Sequence, residues 1–193
     1  MIVSEITNKN DECYTPQYAV APILPFIPRD AHVWCPFDTE DSNFVTMLRD
    51  RGNRVTATHI ENGGDFLELN VECDIVLSNP PFSIKTNVLR HAFGMGTPFA
   101  FLIGVVGLFE SQERFEIFRD NDFEVMYLNR RVSFFSDFED RQLKLNPPFS
   151  SVYLTHRILP AKMVFRTVSK RTDVTKRMMP GALASFWEKD VFK

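Results

Sequence analysis

A short apolar segment that runs straight into two consecutive prolines restricts the fold of this chain more than any other feature. Residues 74–78 predict a buried strand, and Asn79-Pro80-Pro81-Phe82 follows it directly. Proline fixes its own φ angle and lacks an N–H, so the strand must end there, and Pro81 keeps Pro80 extended. Because ligands of open α/β sheets bind at the carboxyl ends of the strands, this turn marks a predicted binding edge.

The rest of the chain alternates between strand-like and helix-like patterns. This alternation predicts an α/β fold, Rossmann-like, with a mostly parallel central sheet and helices on both faces. Residues 151–158 and 163–168 predict two late strands that pair as a C-terminal antiparallel hairpin. The other predicted strands are 32–35, 54–60, 74–78, 98–105, 124–128 and 132–135, and the predicted helices are 15–24, capped by Thr15, 42–51, 86–93, 111–120 and 182–188. In helix 111–120, Phe115 and Phe118 are expected on the buried side.

Composition indicates an ordinary globular protein. The 193 residues suffice for a sizeable core, and we expect one domain over 1–193, with a polar arm at 1–13 and a basic extension at 157–193. A net charge of −3 gives no overall nucleic-acid signature, so such binding requires a local patch. The three cysteines have no paired or zinc-type spacing, which favours a reducing cytoplasm and no metal. No apolar run is long enough to span a membrane.

The turn at Asn79 has the groups needed to hold an amine on a flat ring. The Asn79 side-chain oxygen and the Pro80 carbonyl can each accept one N–H, and Phe82 can stack on the ring face. Acceptors around a ring amine localise its lone pair while a methyl group is transferred, which is electrostatic preorganisation. The alternative interpretation of these residues is an ordinary proline-rich turn without chemistry.

Asn79-Pro80-Pro81-Phe82 after an apolar strand resembles the catalytic motif of S-adenosylmethionine-dependent methyltransferases acting on the N6 amine of adenine. The whole chain looks most like the small phage or prophage DNA adenine methyltransferases. The resemblance covers most of residues 11–160 and implies a methyltransferase fold, S-adenosylmethionine as cofactor and DNA as partner, with RNA as an alternative. It implies that Asn79, Pro80, Pro81 and Phe82 are catalytic.

The same tetrapeptide occurs a second time, as Asn146-Pro147-Pro148-Phe149. This copy follows a charged stretch and precedes strand-like residues, so it enters a strand instead of leaving one. We therefore interpret it as a loop before a late strand.

The resemblance also implies a cofactor site. The loop after the first strand contributes Pro36, Phe37 and Asp38, but residues 39–41 replace the glycines that let backbone approach the ligand in the family. The acidic side chains here either face the positive groups of the cofactor or favour the N-terminus of the following helix. The other implied contacts are Tyr14 and Thr15 at the methionine end, Glu61 or its neighbour His59 at the ribose, and Asp65 and Phe66 at the cofactor's adenine. Asn79 is a further implied cofactor contact.

Methylating a base inside a duplex requires flipping it out of the stack, which needs phosphate contacts. The segment 129–134 resembles a family segment near the target cleft, and Arg130 and Arg131 are candidate phosphate contacts. Residues 157–177 form a locally basic stripe that adds Lys162 and Arg166. A solvated basic surface is the alternative.

Two further functions stay open from the sequence. The missing glycines favour a methyltransferase-like fold kept as a binding or inhibitory protein of phage origin, without turnover. A methyltransferase acting on RNA or on a protein amide keeps the same chemistry, and nothing in the residues separates DNA from RNA.

Overall fold

The computed structural model describes residues 14–135 and 149–169. These residues form one seven-stranded sheet in the order β2-β1-β3-β4-β6-β5-β7. The strands are β1 (His32–Cys35), β2 (Arg54–Ala57), β3 (Ile75–Ser78), β4 (Phe99–Gly104), β5 (Glu124–Leu128), β6 (Ser151–His156) and β7 (Met163–Arg166). The α-helices are α1 (Gln17–Val20), α2 (Asn43–Asp50), α3 (Lys85–Met95) and α4 (Gln112–Asp120), and short 3-10 helices cover Leu24–Phe26, Ile60–Asn62 and Phe82–Ile84.

The sheet is mostly parallel, as the sequence predicts. Strands β1 to β5 and β7 share one direction, and β6 alone runs against its neighbours β4 and β5. The predicted hairpin between the two late strands is wrong. Both edges of β6 are occupied by β4 and β5, so β7 pairs instead with the outer edge of β5, in parallel. Residues 157–169, assigned to a basic extension, thus contribute the edge strand.

Alternate side chains of the strands feed two separate apolar cores, one on each face of the sheet. On one face, Val33, Cys35 and Leu77 pack with buried residues of α1 and α2. On the other face, Trp34 and Val76 pack with buried residues of α3. This two-fold alternation is the geometry of a strand buried on both sides, and it confirms the prediction of helices on both faces.

Several predicted boundaries differ from the observed elements. Pro16 rather than Thr15 precedes the first helix, which ends at Val20 after one turn. Helix α3 continues through Gly94 and ends at Gly96, which supplies the left-handed backbone of the cap at φ 67°. The second strand stops at Ala57 instead of residue 60.

Two further expectations about local structure are wrong. Residues 132–135 form no strand and make one isolated bridge, between Phe135 and Tyr14. In α4, Phe115 is 56% exposed, whereas Phe118 packs against Phe109 and Phe123. The predicted helix at 182–188 and the polar arm at 1–13 lie outside the described residues.

The sheet changes its winding direction between β1 and β3. The chain leaves β1 for β2 on one side, and β3 then pairs with the other side of β1. The loops that follow β1 and β3 therefore diverge and leave a crevice at the carboxyl ends of the strands, where ligands of such sheets bind.

No helix within residues 14–135 and 149–169 is long and apolar enough to cross a membrane. The same residues contain no group of three or more histidine, cysteine or acidic side chains arranged to hold a metal ion.

Candidate functional site

A cavity opens at the crevice between β1 and β3. Its walls come from the segment before α1, the loop after β1, the N-terminus of α2, the loop after β2 and the turn after β3. The lining residues are Tyr14, Thr15, Phe37, Asp38, Thr39, Ser42, Asn43, Phe44, His59, Ile60, Gly64, Asp65, Phe66, Asn79, Pro81 and Ile84. Among the described residues, the lining includes two carboxylic acids but no lysine or arginine, so this part of the cavity favours a cationic ligand over an anionic one.

The segment before α1 is held against the cavity by backbone contacts. The Asn43 side chain donates a hydrogen bond to the carbonyl of Thr15 at 2.8 Å, and Tyr14 exchanges two backbone hydrogen bonds with Phe135. The Thr15 hydroxyl is buried and has no hydrogen-bond partner among the described residues. A buried hydroxyl without a partner is costly, so this group is available to a polar ligand in the cavity.

The loop after β1 is fastened by Asp38. Its backbone N–H donates to the carbonyl of Thr58 at 3.2 Å, and its carboxylate accepts a hydrogen bond from the hydroxyl of Ser78, the last residue of β3. Ser42, which caps α2 by accepting from the Val45 N–H, also bonds this carboxylate. Asp38 therefore joins the loop, the start of α2 and the residue just before Asn79.

Burial changes the protonation of Asp38. The residue is 8% exposed, and burial raises the pKa of its carboxyl from 3.8 to about 6, although the hydrogen bonds from Ser78 and Ser42 oppose that rise. Burial also raises the pKa of the Cys35 thiol and of the Tyr153 hydroxyl, with a smaller contribution from Asp38 in each case. Asp38 thus lies in a poorly solvated place where its carboxylate has no cationic partner within residues 14–135 and 149–169.

One wall of the cavity is aromatic. Phe66 is 1% exposed, and its ring centroid lies 5.1 Å from that of Phe37 and 5.2 Å from that of Trp34. The rings of His91 and Phe101 meet it edge-on at 4.9 and 6.0 Å. Such edge contacts fix ring orientation, so Phe66 presents a rigid edge to the cavity. Asp65 beside it caps a turn by accepting from the Leu67 N–H at 2.9 Å.

The Asn79-Pro80-Pro81-Phe82 turn forms the wall on the β3 side. Asn79 and Pro81 line the cavity, the side-chain oxygen of Asn79 is buried, and Pro80 is buried behind them. Phe82 points to a second aromatic group, where its ring centroid lies 4.9 Å from that of Phe149 and 6.1 Å from that of Phe134. The turn therefore separates the cavity from an aromatic cluster of Phe82, Phe134 and Phe149.

The last residue of the second tetrapeptide belongs to this cluster. Strand β6 is antiparallel to β4, and Ser151 at its start pairs with Gly104 at the end of β4. A Cβ at Gly104 would lie 3.3 Å from the Phe149 ring, a tight contact, and 3.7 Å from the Phe82 ring, an ordinary one, so the end of β4 lies directly against both rings. Phe149 lies in a loop just before β6, as predicted, and the structure adds that it meets the first tetrapeptide. Residues 146–148 lie outside the described residues.

The structure brings most of the predicted cofactor residues together. Those that line the cavity are Tyr14, Thr15, Phe37, Asp38, Asp65, Phe66 and Asn79. Pro36 is buried outside the lining, and Glu61 is exposed in the 3-10 helix after β2, 3.6 Å from the His59 ring. His59, the alternative ribose contact, lines the cavity in place of Glu61. Strand β2 ends at Ala57, so His59 belongs to the loop that forms this wall.

The predicted cationic residues do not form one surface. Arg130 and Arg131 follow β5 and are exposed, and Arg166 ends β7 with its guanidinium 5.1 Å above the Phe26 ring. These three arginines lie near the carboxyl ends of β5 and β7. Because β3, β5 and β7 share one direction, that is the same end of the sheet as Asn79. Lys162 precedes β7 and pairs with Asp122 at 2.8 Å, so it lies at the opposite edge.

Sequence reasoning missed residues that act through longer contacts. The sequence places Ser78 in a strand and Ser42 at the start of a helix, and gives neither a role in the site. Both serines hydrogen-bond the carboxylate of Asp38, and no local pattern reveals that contact. Asn43 gave a usable signal, since it opens the helix after the first strand, and helix N-termini at the switch point of such sheets face ligands.

The lining fits S-adenosylmethionine in chemical character. That molecule has a positive sulfonium and ammonium, a carboxylate and an adenine ring. Asp38 and Asp65 supply negative charge, and Phe66 supplies an aromatic wall. The Thr15 hydroxyl, which has no partner among the described residues, supplies a donor for a carboxylate. The residues present are therefore compatible with the cofactor that the sequence resemblance implies.

No protein-family model matches this chain, and no curated protein matches it either. Among solved structures, it is similar to a modification subunit of a putative type I restriction enzyme from Vibrio vulnificus, with a TM-score of 0.54, 11% identity and 98% of this chain covered. The chain spans 55% of the length of that subunit. A putative class I S-adenosylmethionine-dependent methyltransferase from Listeria monocytogenes has a TM-score of 0.49 and 13% identity over 94% of this chain and 71% of its own. The likeness to the Vibrio subunit shows the fold alone, and confirms that this chain has a Rossmann-like, methyltransferase-like fold.

Proposed function

We propose that this protein transfers a methyl group from S-adenosylmethionine to the N6 amine of adenine in DNA. The observation that carries the proposal is the shared wall between the cavity and the Asn79-Pro80-Pro81-Phe82 turn. Asn79 and Pro81 line a cavity whose remaining polar groups suit a cationic cofactor, while Phe82 on the same turn faces a separate aromatic cluster. The same turn therefore borders both the cavity proposed for the methyl donor and the aromatic cluster proposed for the flat acceptor.

The proposed reaction is a direct displacement at the methyl carbon. The bond from N6 to the methyl carbon would form as the bond from that carbon to sulfur breaks. Sulfur would keep the electron pair of the broken bond and become a neutral thioether, and the proton lost from N6 would pass to solvent. When bound, the cofactor supplies the electrophilic methyl group. The protein holds the amine: the Asn79 oxygen and the Pro80 carbonyl accept its two N–H groups, which localises the lone pair on nitrogen. Positioning two reactants in line supplies much of the rate.

A flipped base is the substrate that suits the aromatic cluster. Phe82 and Phe149 are partly exposed beside the amine-holding turn, with the buried Phe134 ring behind them, and stacking on an aromatic side chain is how extruded bases are held. Support for a nucleic acid as the partner comes from Arg130, Arg131 and Arg166, which share the sheet edge of the turn and suit contacts to phosphates.

A methyltransferase-like protein that binds without turnover is the second candidate. The feature that favours it is the loop after β1, where Thr39 lines the cavity with a side chain instead of glycine backbone. This candidate predicts binding of ligands with no methylated product, so a kinetic experiment on the turn separates it from the enzyme.

The decisive variant is Asn79→Ala, and the second tetrapeptide provides its matched control, Asn146→Ala. We expect Asn79→Ala to lower kcat by about a hundredfold or more, as loss of a preorganised polar group does, with cofactor affinity largely kept. Asn146→Ala is expected to retain turnover, since Phe149, and not Asn146, is the residue of its tetrapeptide that is proposed to hold the base. Equal losses in both variants, or full turnover in Asn79→Ala, contradict the proposed role of the turn. A folded wild-type protein that binds DNA and cofactor without turnover favours the binding protein.

A further inference from the structure

The loop that departs from the glycine-rich pattern brings one carboxyl group, that of Asp38, into the cavity wall. Asp38 is the only acid of residues 38–41 that lines the cavity. Glu40 turns outward to an ion pair with Arg49 on α2, and Asp41 is exposed. The charged side chain that enters the cavity is therefore a specific one, held by hydrogen bonds from Ser78 and Ser42.

Those two hydroxyls orient the carboxyl group without neutralising it. Hydroxyl donors stabilise a carboxylate less than a cation does, and the residue remains 8% exposed among apolar neighbours. The titratable or charged groups around it are the Cys35 thiol on β1, the Tyr153 hydroxyl on β6, the Arg49–Glu40 pair on α2, and Tyr14, His59 and Asp65 across the cavity. Tyr153 donates its own proton to the Ala19 carbonyl at 2.7 Å, so no described group supplies Asp38 with a permanent positive partner.

A second, independent feature indicates that a ligand completes this end of the cavity. The Thr15 hydroxyl is buried, lines the same cavity and has no partner among the described residues. An acid without a cation and a hydroxyl without a partner therefore line one cavity, and they call for a ligand that has both positive charge and hydrogen-bonding groups.

We propose that Asp38 determines the charge specificity of the cavity, selecting a sulfonium ligand over the neutral thioether that remains after methyl transfer. The inference rests on the proposed function, because it assigns the cavity to the methyl donor. S-Adenosylmethionine and S-adenosylhomocysteine differ by one methyl group and one positive charge. In a poorly solvated site, that charge interacts with the carboxylate far more strongly than in water, so the donor is retained and the spent product is released.

Binding of the cation is coupled to loss of a proton from Asp38. Burial raises the pKa of this carboxyl to about 6, so at pH 6 about half of the protein carries a neutral Asp38, which must ionise and release its proton to solvent as the cation binds. We therefore expect the affinity for S-adenosylmethionine to be about tenfold lower at pH 5 than at pH 7.5, because only the ionised fraction binds the cation well. The neutral product lacks this dependence.

Calorimetric titration tests the inference without measuring activity. The wild type, Asp38→Asn and the matched control Asp41→Asn are each titrated with both ligands at pH 5, 6 and 7.5, in two buffers of different ionisation enthalpy. For the wild type and the control we expect the sulfonium ligand to bind about tenfold more tightly than the thioether at pH 7.5, an estimate for one partly screened charge. We also expect release of about half a proton per sulfonium ligand at pH 6. Asp38→Asn is expected to bind both ligands alike and without pH dependence.

Two outcomes overturn the inference in different ways. Equal affinities of the wild type for both ligands at every pH, or an unchanged preference in Asp38→Asn, show that Asp38 does not sense the charge, and leave the proposed methyl transfer standing. A folded wild type that binds neither ligand at any pH removes the inference together with the assignment of the cavity to the cofactor. Because the wild-type pH series needs no variant, the test does not depend on whether Asp38→Asn folds.

Discussion

Replacing Asp38 by asparagine should make the ligand-free protein more stable, by an amount that depends on pH. The folded state raises the pKa of this carboxyl from 3.8 to about 6, so between these values the folded protein binds more protons than the unfolded chain. The free energy of unfolding of the wild type therefore falls as pH rises from about 4 to about 6, and it does not fall further on account of Asp38 above that range. Asparagine keeps the shape and lacks the charge.

The size of the effect follows from the shift. Each pKa unit corresponds to about 1.4 kcal/mol, so a rise of about two units makes the ionised Asp38 destabilising by roughly 3 kcal/mol at pH 8. The advantage of Asp38→Asn over the wild type should be near zero at pH 3.5, about half of its full value at pH 5, and constant above pH 7. The hydroxyls of Ser78 and Ser42 can rotate to accept from the new amide, so no donor is left unpaired.

Urea denaturation followed by circular dichroism measures this difference at a series of pH values. Asp41→Asn removes the same charge from an exposed position, and it should change the free energy of unfolding by no more than about 0.5 kcal/mol at any pH. The reasoning is refuted if Asp38→Asn is less stable than the wild type at pH 8, or if its advantage does not change with pH. A residue that lowers stability while improving ligand binding is typical of a functional site.

Three other substitutions test how the site is supported. Phe66→Ala should lower the free energy of unfolding by about 3–5 kcal/mol, because removing this enclosed ring leaves a cavity. Urea denaturation of the variant and the wild type measures the loss. A loss below about 1 kcal/mol would show that the surrounding side chains collapse into the space. Ser111→Ala removes the hydroxyl that caps α4 by accepting from the Arg114 N–H, and should cost about 1 kcal/mol in the same assay; Ser111→Asp is expected to restore the cap. Glu124→Ala leaves the Thr155 hydroxyl and two backbone N–H groups after β6 without their acceptor. It should lower the free energy of unfolding by roughly 2–4 kcal/mol. Glu124→Gln should lower it less, and equal losses in the two variants would contradict the hydrogen bonds as the cause.

Local chemistry made the central part of the site predictable. The strand that runs into Asn79 is recognisable because three apolar residues are closely followed by two prolines, and neither feature depends on distant parts of the chain. Likewise, Ser42 and Ser111 each occupy the N-cap of a helix, where a serine hydroxyl accepts a hydrogen bond from a backbone N–H of the first turn. Strand and helix alternation then fixed the order of the layers, and with it the edge at which the turn lies.

The features that the sequence did not reveal depend on contacts between distant segments. Pairing of β7 with β5 instead of β6 depends on β6 being enclosed on both edges, which no hairpin pattern encodes. The placement of Lys162 at the far edge follows from that same pairing. The bond between Asp38 and Ser78 joins residues 40 positions apart, and Phe149 meets Phe82 only because β6 returns antiparallel to β4. Tertiary pairing therefore decided what local patterns left open.

Mass spectrometry of nucleosides tests the central claim most directly. Adenine-containing duplex DNA and a matching RNA are each incubated with the purified protein and S-adenosylmethionine carrying a deuterated methyl group, then digested to nucleosides. The proposed function predicts labelled N6-methyldeoxyadenosine from the DNA, with none formed by Asn79→Ala. Label in the RNA alone, label on another base, or no label from a folded protein that binds both cofactor and DNA contradicts it.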